Sequence, residues 1–345
     1  MPKKITVVIP STGRAALLQH ALDGLRTQTF NDFEVLLVLK PGDVETINVV
    51  EQFNKYLDIQ VHFQKHPGFM RAVNEGIDAA TGDLILFLDD DAVPKPNCIA
   101  EHISTYEHND VSGVSGNVIP TSLVDGVLKP YENCSDIVSI YEEPKFLRKI
   151  GRIFWNKPLE GQENFLAYIS KAGYSKKNID LFYQEKSDSL LCMGANTSVL
   201  TSALSNYRIP TSFLKRGIAN EQVVGWNLWK KGHSMVFNSK AVVYHIQHGE
   251  TLSRFLDISN IFQATIENEL LFYYLLPMEK KVSVMHRVVS LMYNSLVHLK
   301  KIKKNGKYEL SILRAILVGN LIGIKWIISR KIGGSYIPSY DSFYQ

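Results

Sequence analysis

Three consecutive carboxylates, Asp89, Asp90 and Asp91, follow the apolar run Leu84–Leu88 and precede Pro94. Side by side they repel one another, so each is stabilised by protonation, by a cationic partner or by a shared metal. A hard divalent cation takes oxygen ligands and resolves the conflict. The plainer alternative is a solvated acidic turn, which most short acidic runs are. Two further groups stand out. Glu221 falls in the first turn of a helical stretch that opens at Asn220, a position where the helix dipole favours a surface acid. His245 closes an apolar segment and is followed by Ile246, Gln247 and His248. A single histidine in such a place is more often structural than ligating.

Carboxylates can do chemistry only if something rigid carries them. Leu84–Leu88 is short, unbroken and apolar, as expected of a strand buried on both faces, and Pro94 keeps it from simply continuing. Ligands in open α/β sheets bind at the carboxyl ends of such strands. Residues 5–9 and 35–39 read the same way, and residues 59–63 form a weaker strand. Between these strands the spacing turns helical: Leu17, Leu18, Ala21, Leu22 and Leu25; then Ile47, Val50, Phe53 and Leu57; then Phe69, Val73, Ile77 and Ala80, with Gly82 as the stop. A helix near residues 97–108 and a strand near 111–118 extend the series. Strand–helix alternation with short connections predicts an α/β fold: a mixed, mostly parallel sheet sandwiched by helices. Further on, residues 220–232 read as a helix with Asn220 as N-cap and Gly232 as its end. Short strands over 235–238 and 241–245 follow.

At 345 residues, with 45% hydrophobic and 21% charged side chains, the chain can bury a large core, and wholesale disorder is not expected. Cys98, Cys134 and Cys192 are few and far apart, which argues against a disulfide framework or zinc site and fits a reducing compartment. The first residues lead straight into a strand, so no secretory signal is expected. Residues 120–189 lose all periodicity and read as an insertion whose aromatics (Tyr131, Phe146, Phe154, Trp155, Phe165, Tyr168) pack onto the core rather than stack on sugars. Residues 251–345 read as a helical, basic extension. Between Glu279 and Lys331 twelve Lys/Arg face two acids, a net +10, against +4 for the whole chain. Residues 312–328 are apolar but interrupted by Arg314, Asn320 and Lys325, so they make a poor spanning helix and a good amphipathic one for a membrane interface. A core helix or a homo-oligomer contact is the alternative.

Taken in order, several motifs resemble an inverting family 2 glycosyltransferase with a GT-A fold, over about residues 5–250. Ile9-Pro10-Ser11-Thr12-Gly13-Arg14 is similar to the family's first-strand signature. Gly68 to Gly76, with Arg71 and Asn74, resembles its glycine-to-asparagine helix. Ala80 to Asp83 leads into the DxD strand, Gly194-Ala195-Asn196 resembles the acceptor-side strand, Asn220-Glu221 the "ED" helix, and Val243-Tyr244-His245 the closing strand. The resemblance implies a nucleotide-sugar donor held by Pro10, Ser11, Thr12, Arg14, Asp43, Arg71, Asn74, Asp89 and Asp90. It implies Mn2+ or Mg2+ at Asp91, with Asp89 on the ribose or metal and His245 on the metal or diphosphate. Glu221 becomes the general base, and Gly194, Ala195, Asn196 and Trp226 fall on the acceptor side.

Two departures bear on specificity. The second strand ends in Leu39-Lys40-Pro41-Gly42-Asp43 rather than in base-reading aspartates, which leaves UDP-, GDP- and dTDP-sugars all open. Asn220-Glu221 stands in place of Glu-Asp. There is no QxxRW-like motif and no set of spanning helices, so single addition to a lipid-linked or other cell-surface glycan, on the cytoplasmic face of a membrane, is expected over processive synthesis. A sugar nucleotidyltransferase is the runner-up, but Ser11 to Arg14 is too short for its glycine-rich loop. A non-catalytic carbohydrate- or membrane-binding protein has no need of Asp89, Asp91 and Glu221 together. A nucleic-acid partner would explain only the basic tail.

Overall fold

The computed structural model describes residues 4–130, 151–191, 194–211, 220–248 and 258–338. Two units form. One comprises Met1–Cys134, Asn178–Ile209 and Asn220–His248; the other draws its described residues from 151–177, 210–211 and 258–338.

The first unit is built on a ten-stranded mixed sheet. Strands β1 (Ile5–Ser11), β2 (Phe33–Leu39), β3 (Ile59–Phe63) and β4 (Leu84–Leu88) pair in parallel in the order β4-β1-β2-β3. Helices α1 (Ala15–Arg26), α2 (Val44–Phe53) and α3 (Phe69–Ala79) connect them. Alternation of side chains explains why both faces are apolar. Ile5, Val7 and Ile9 of β1, with Val35, Leu37 and Leu39 of β2, cluster with α1 residues Leu18, Leu22 and Leu25 and with α2 residues Val49, Val50 and Phe53. Val8 and Val38 point the other way, where α3 lies so close that a Cβ on Gly76 would come within 2.4 Å of Val8. Each fully buried Val, Leu or Ile contributes about 1.5–3 kcal/mol, so the strands are fixed before any polar contact is considered.

Beyond β4 the sheet is mixed, with antiparallel pairs on either side of one parallel pair of later strands. A short strand β5 (Ala92–Pro94) follows the carboxylates, and α4 (Cys98–His108) follows β5. Strands β6 (Gly113–Val124) and β7 (Val127–Pro130) form a hairpin. The residues expected as a single insertion, 120–189, are thus divided. The end of β6, β7 and β10 (Lys186–Asp188) belong to the main sheet, while β8 (Ala167–Ile169) and β9 (Ser175–Lys177) pair with each other in the second unit. Strand β11 (Asn196–Leu200) is wedged antiparallel between β4 and β6. Helix α5 (Asn220–Lys230) ends at Gly232, whose φ of +87° suits glycine. The two short strands expected after it are one, β12 (Met235–Ile246), because its register slips between Asn238 and Val242 and pairing resumes.

Gly82 differs from its expected role. Helix α3 ends at Ala79, and Ala80 is already extended. A Cβ on Gly82 would sit 2.7 Å from the Thr6 nitrogen and 2.8 Å from the Lys4 carbonyl, so close backbone approach requires glycine there.

The second unit contains a π-helical turn over Gly151–Trp155, the β8–β9 hairpin, and helices α6 (Ile258–Leu275) and α7 (Val284–Lys331). Helix α7 breaks at Asn305, where φ is −134° and ψ 43°. Trp155 packs against Tyr174 and Tyr293, a packing role as expected; Tyr131 and Phe146 lie outside the described residues. A buried ion pair, Arg287–Glu269, joins α7 to α6. Asn320 donates to Glu269 at 2.9 Å and accepts from the Tyr273 hydroxyl at 2.9 Å. Asn320 therefore faces inward instead of interrupting the exposed side. Residues Asn305–Lys331 are long and apolar enough to cross a membrane by length and composition alone, which differs from the expectation of a poor spanning helix.

One buried acid pins the edge of the first unit. Glu34 is 2% exposed, pairs with Lys4, and accepts from the Thr6 hydroxyl at 2.6 Å and from the Thr81 hydroxyl. Burial works to raise its carboxyl, but Lys4, Thr6 and Thr81 hold it down at about 2. Glu34→Ala is expected to cost about 1–3 kcal/mol in urea unfolding at pH 7. A depressed carboxyl adds stability above its ordinary value of 4.5 and loses it as pH falls towards 2. The gap between wild type and variant should therefore narrow from pH 5 to pH 3.

Candidate functional site

Sheet register sets the site. Ser11 is the last residue of β1, and Val8 pairs with Phe87 of β4, so the turn after β1 and the residues after Leu88 lie at one end of the sheet. Strand β11 runs antiparallel to β4 with Asn196 opposite Leu88, which brings the residues before Asn196 to that same end. Strand β12 enters from the other side, with His245 opposite Ala92 of β5.

The three carboxylates take three different environments. Asp90 is fully buried: the Ser11 hydroxyl donates to Oδ2 at 2.6 Å and Arg14 Nη2 lies 2.6 Å from Oδ1. Burial pushes its carboxyl up to about 7 against the pull of Arg14 and Ser11, and Asp91 and Asp89 add to the rise. Asp91 is 2% exposed and stands between two imidazoles, with His245 Nε2 3.0 Å from Oδ1 and His248 Nε2 2.8 Å from Oδ2. Burial alone would raise it; the two histidines and Arg14 bring it down to about 2. Asp89 is half-buried, 3.7 Å from His245 Nε2. Burial opposes charge on His245, yet Asp89 and Asp91 raise it to about 10.

Asp89, Asp91 and His245 offer ligating atoms within 4.8 Å of one another. Asp91 Oδ1 is buried and lacks a hydrogen bond of good geometry. Two carboxylates and an imidazole converging in this way, one buried oxygen among them without a well-formed hydrogen bond, fit a divalent cation such as Mn2+ or Mg2+.

Glu221 lies in the first turn of α5, and its Oε1 accepts from the Gly194 backbone N–H at 2.8 Å. A Cβ on Gly194 would come within 2.9 Å of that oxygen, so glycine leaves the carboxylate its place. Asn220 is the first helical residue, and residue 219 lies outside the described residues.

Other expected contacts are occupied by the fold. Asn196 is buried; its Oδ1 accepts from His102 Nε2 at 2.8 Å, and its Nδ2 donates to the Asn117 and Ala241 carbonyls at 3.0 and 2.9 Å. Trp226 is 0% exposed and Ala195 7%, so both sit in the core. Asn74 clamps Ile209 through its backbone N–H and carbonyl, both at 2.9 Å. Asp43 caps α2 on the Thr46 nitrogen at 3.2 Å and accepts from the Gly13 nitrogen at 2.7 Å, which fixes the turn after β1. Arg71 and Thr12 are exposed, Arg71 reaching the Pro67 carbonyl at 3.3 Å, and Pro10 is buried in β1. His248 was not among the expected site residues; its spacing of three from His245 is the only signal in the sequence.

A parallel βα half joined through the antiparallel strand β11 to a mixed half, with an acidic cluster at the junction, is a GT-A-like arrangement. A mannosyltransferase from Pyrobaculum calidifontis, solved in complex with GDP-Man and Mn2+, has the same fold, with a TM-score of 0.51 and 13% identity over 98% of this chain and 81% of that one. A sequence model of glycosyl transferase family 2 matches residues 6–175, which places that part of the chain in the family. Glu221, His245 and His248 lie beyond the matched residues.

Among the relatives, a glucosyl-dolichyl phosphate glucuronosyltransferase of Haloferax volcanii is 28% identical over 34% of this chain and 39% of its own length. A PGL/p-HBAD biosynthesis glycosyltransferase of Mycobacterium bovis is 33% identical over 34% of this chain and 47% of its own. The chain thus spans less than half the length of either relative.

Arg14 is the cation opposite buried Asp90. Arg14→Ala is expected to destabilise the protein by about 3 kcal/mol in urea unfolding, because it strands a buried carboxylate. Arg14→Lys should recover part of that loss. A change within experimental error for Arg14→Ala would mean that Asp90 does not need a charge partner.

Proposed function

We propose that the protein is a glycosyltransferase that moves one sugar from a nucleotide-sugar donor to an acceptor hydroxyl, with inversion and with help from a divalent cation. The observation that carries this reading is the pairing of a cation-ready trio, Asp89, Asp91 and His245, with a backbone-anchored carboxylate, Glu221, at one end of a single sheet.

Glu221 accepts the proton of the acceptor hydroxyl. The freed oxygen bonds to the anomeric carbon as that carbon's bond to the diphosphate breaks, and the electron pair leaves on the diphosphate. Because attack and departure are on opposite sides, the anomeric configuration inverts. Asp89, Asp91 and His245 would hold the cation, whose chemistry is to neutralise charge on the leaving diphosphate as a Lewis acid. Asp90, itself held by the Ser11 hydroxyl, holds Arg14 in the turn after β1, where its remaining guanidinium donors favour anionic oxygen.

The acceptor in this reading is a lipid-linked glycan at a membrane surface. The Haloferax volcanii relative is named for work on a glucosyl-dolichyl phosphate. The second unit supplies a surface for a membrane. Met285, Val288, Met292, Leu296 and Leu299, and then Leu310, Leu317, Leu321, Ile324 and Ile328, are exposed on α7 at helical spacing, while its charged Arg287 is buried. At 3.6 residues per turn, Arg314 and Lys325 fall about 40–60° from the second stripe. There they can lie along lipid and reach anionic headgroups.

Two sets of variants test these points. With a nucleotide-sugar panel and Mn2+, Asp91→Asn should lower donor affinity at least tenfold. Glu221→Gln should bind donor as wild type does while transfer falls by about 10²–10⁴; full transfer in Glu221→Gln would move the base elsewhere. Separately, the full chain should sediment with vesicles containing anionic phosphatidylglycerol and less with neutral vesicles. Leu317→Glu with Leu321→Glu should release it, and equal sedimentation of this variant would remove the stripe from the interaction.

A further inference from the structure

Asp91 has two oxygens with different surroundings. Oδ1 faces His245 Nε2 at 3.0 Å, belongs to the trio with Asp89, and has no hydrogen bond of good geometry although it is buried. Oδ2 is engaged by His248 Nε2 at 2.8 Å. His248 is outside the trio. It is also held firmly from the side of the chain that leads to it. The Ile246 nitrogen donates to the Asp91 carbonyl at 2.8 Å and the Gln247 nitrogen to the Thr121 carbonyl at 2.7 Å, so the two residues before His248 are locked to β4's extension and to β6. The Asp91 side chain is 3% exposed and that of His248 16%, so the contact is largely shielded from water.

We infer that His248 is a positioning residue: it holds Asp91 by Oδ2 and so presents Oδ1 alone to the cation, making Asp91 a one-oxygen ligand beside Asp89 and His245. The physical reason lies in carboxylate geometry. A carboxylate free on both oxygens can turn about its Cβ–Cγ bond and bind a cation through either oxygen or both. A donor fixed on one oxygen stops that rotation and orients the other, and partners of this kind are worth about 10–100-fold in metal affinity. His245 does not serve the same purpose, because its Nε2 lies on the oxygen that the cation needs, 3.0 Å from Oδ1. The inference rests on the cation reading of the trio given above.

The test measures the cation rather than turnover. Mn2+ binding to the full chain is followed by electron paramagnetic resonance, alone and with UDP, GDP or dTDP. His248→Phe, which keeps bulk and removes the donor, should weaken Mn2+ binding about 10–100-fold. His248→Gln, which keeps an N–H donor, should recover most of the affinity. Pulsed measurements on the wild type should detect a single coordinated imidazole nitrogen, that of His245, and this arm needs no variant to fold. Two coordinated imidazoles would make His248 a ligand and overturn the positioning role. Wild-type affinity in His248→Phe would overturn it as well, while leaving the trio intact. Failure of the wild type to bind Mn2+ with any of the three nucleotides would overturn the cation reading itself, and the inference with it.

Discussion

Three adjacent carboxylates at the end of a buried strand cannot all be charged and unpartnered, and the site is arranged by how that repulsion is relieved. Asp90 turns into the protein and takes Ser11 and Arg14. Asp91 takes His245 of β12 and His248 just beyond it. Asp89 stays half-buried. Each solution ties β4 to a different part of the chain: Asp90 to the turn after β1, and Asp91 to the segment that closes the first unit. Relief of local electrostatic strain and assembly of the site are therefore the same event.

The antiparallel strand β11 makes the second half of the site possible. It lies between β4 and β6, so its first residues meet the carboxyl end of β4. Asn196 at its start is satisfied by His102, Asn117 and Ala241. Burial lowers His102 to about 4, so the ring is neutral near pH 7 and supplies one N–H to Asn196. That fixed strand sets the Gly194 nitrogen, and the nitrogen sets Glu221. A carboxylate held by a backbone N–H is already oriented, which is what the base role proposed for Glu221 needs.

The second unit reverses the usual distribution of polarity along α7. Arg287, Glu269 and Asn320 are inside and hydrogen-bonded, while a line of Leu, Met, Val and Ile side chains is outside. An ion pair buried in this way adds little net stability on its own, since desolvation offsets most of the attraction. It does fix one register between α6 and α7, because a slipped register would strand charges. A helix pair so fixed can keep an apolar face turned outward without collapsing onto it.

The sequence carried the elements well. Runs such as Leu84–Leu88 and the spacing of Leu18, Leu22 and Leu25 are local records of burial, and the sheet with helices on both faces follows from them. It also singled out Asp89, Asp91, His245 and Glu221, but that the first three converge and that Glu221 meets the Gly194 nitrogen came from the structure. Other features depended on pairs distant in the chain. Ser11 and Asp90 are 79 residues apart, and Asp91 and His248 are 157 apart, so no local pattern marks either contact. The same reason explains why Trp226 and Asn196, placed on the acceptor side by motif, belong to the core, and why Gly82 is required by a neighbouring backbone rather than by a helix end. Composition and periodicity determine which residues are buried and in what kind of element. Only the tertiary pairing of β1, β4, β11 and β12 decides which polar groups meet, because a hydrogen bond is set by ångström-scale geometry that the order of residues along the chain does not encode locally.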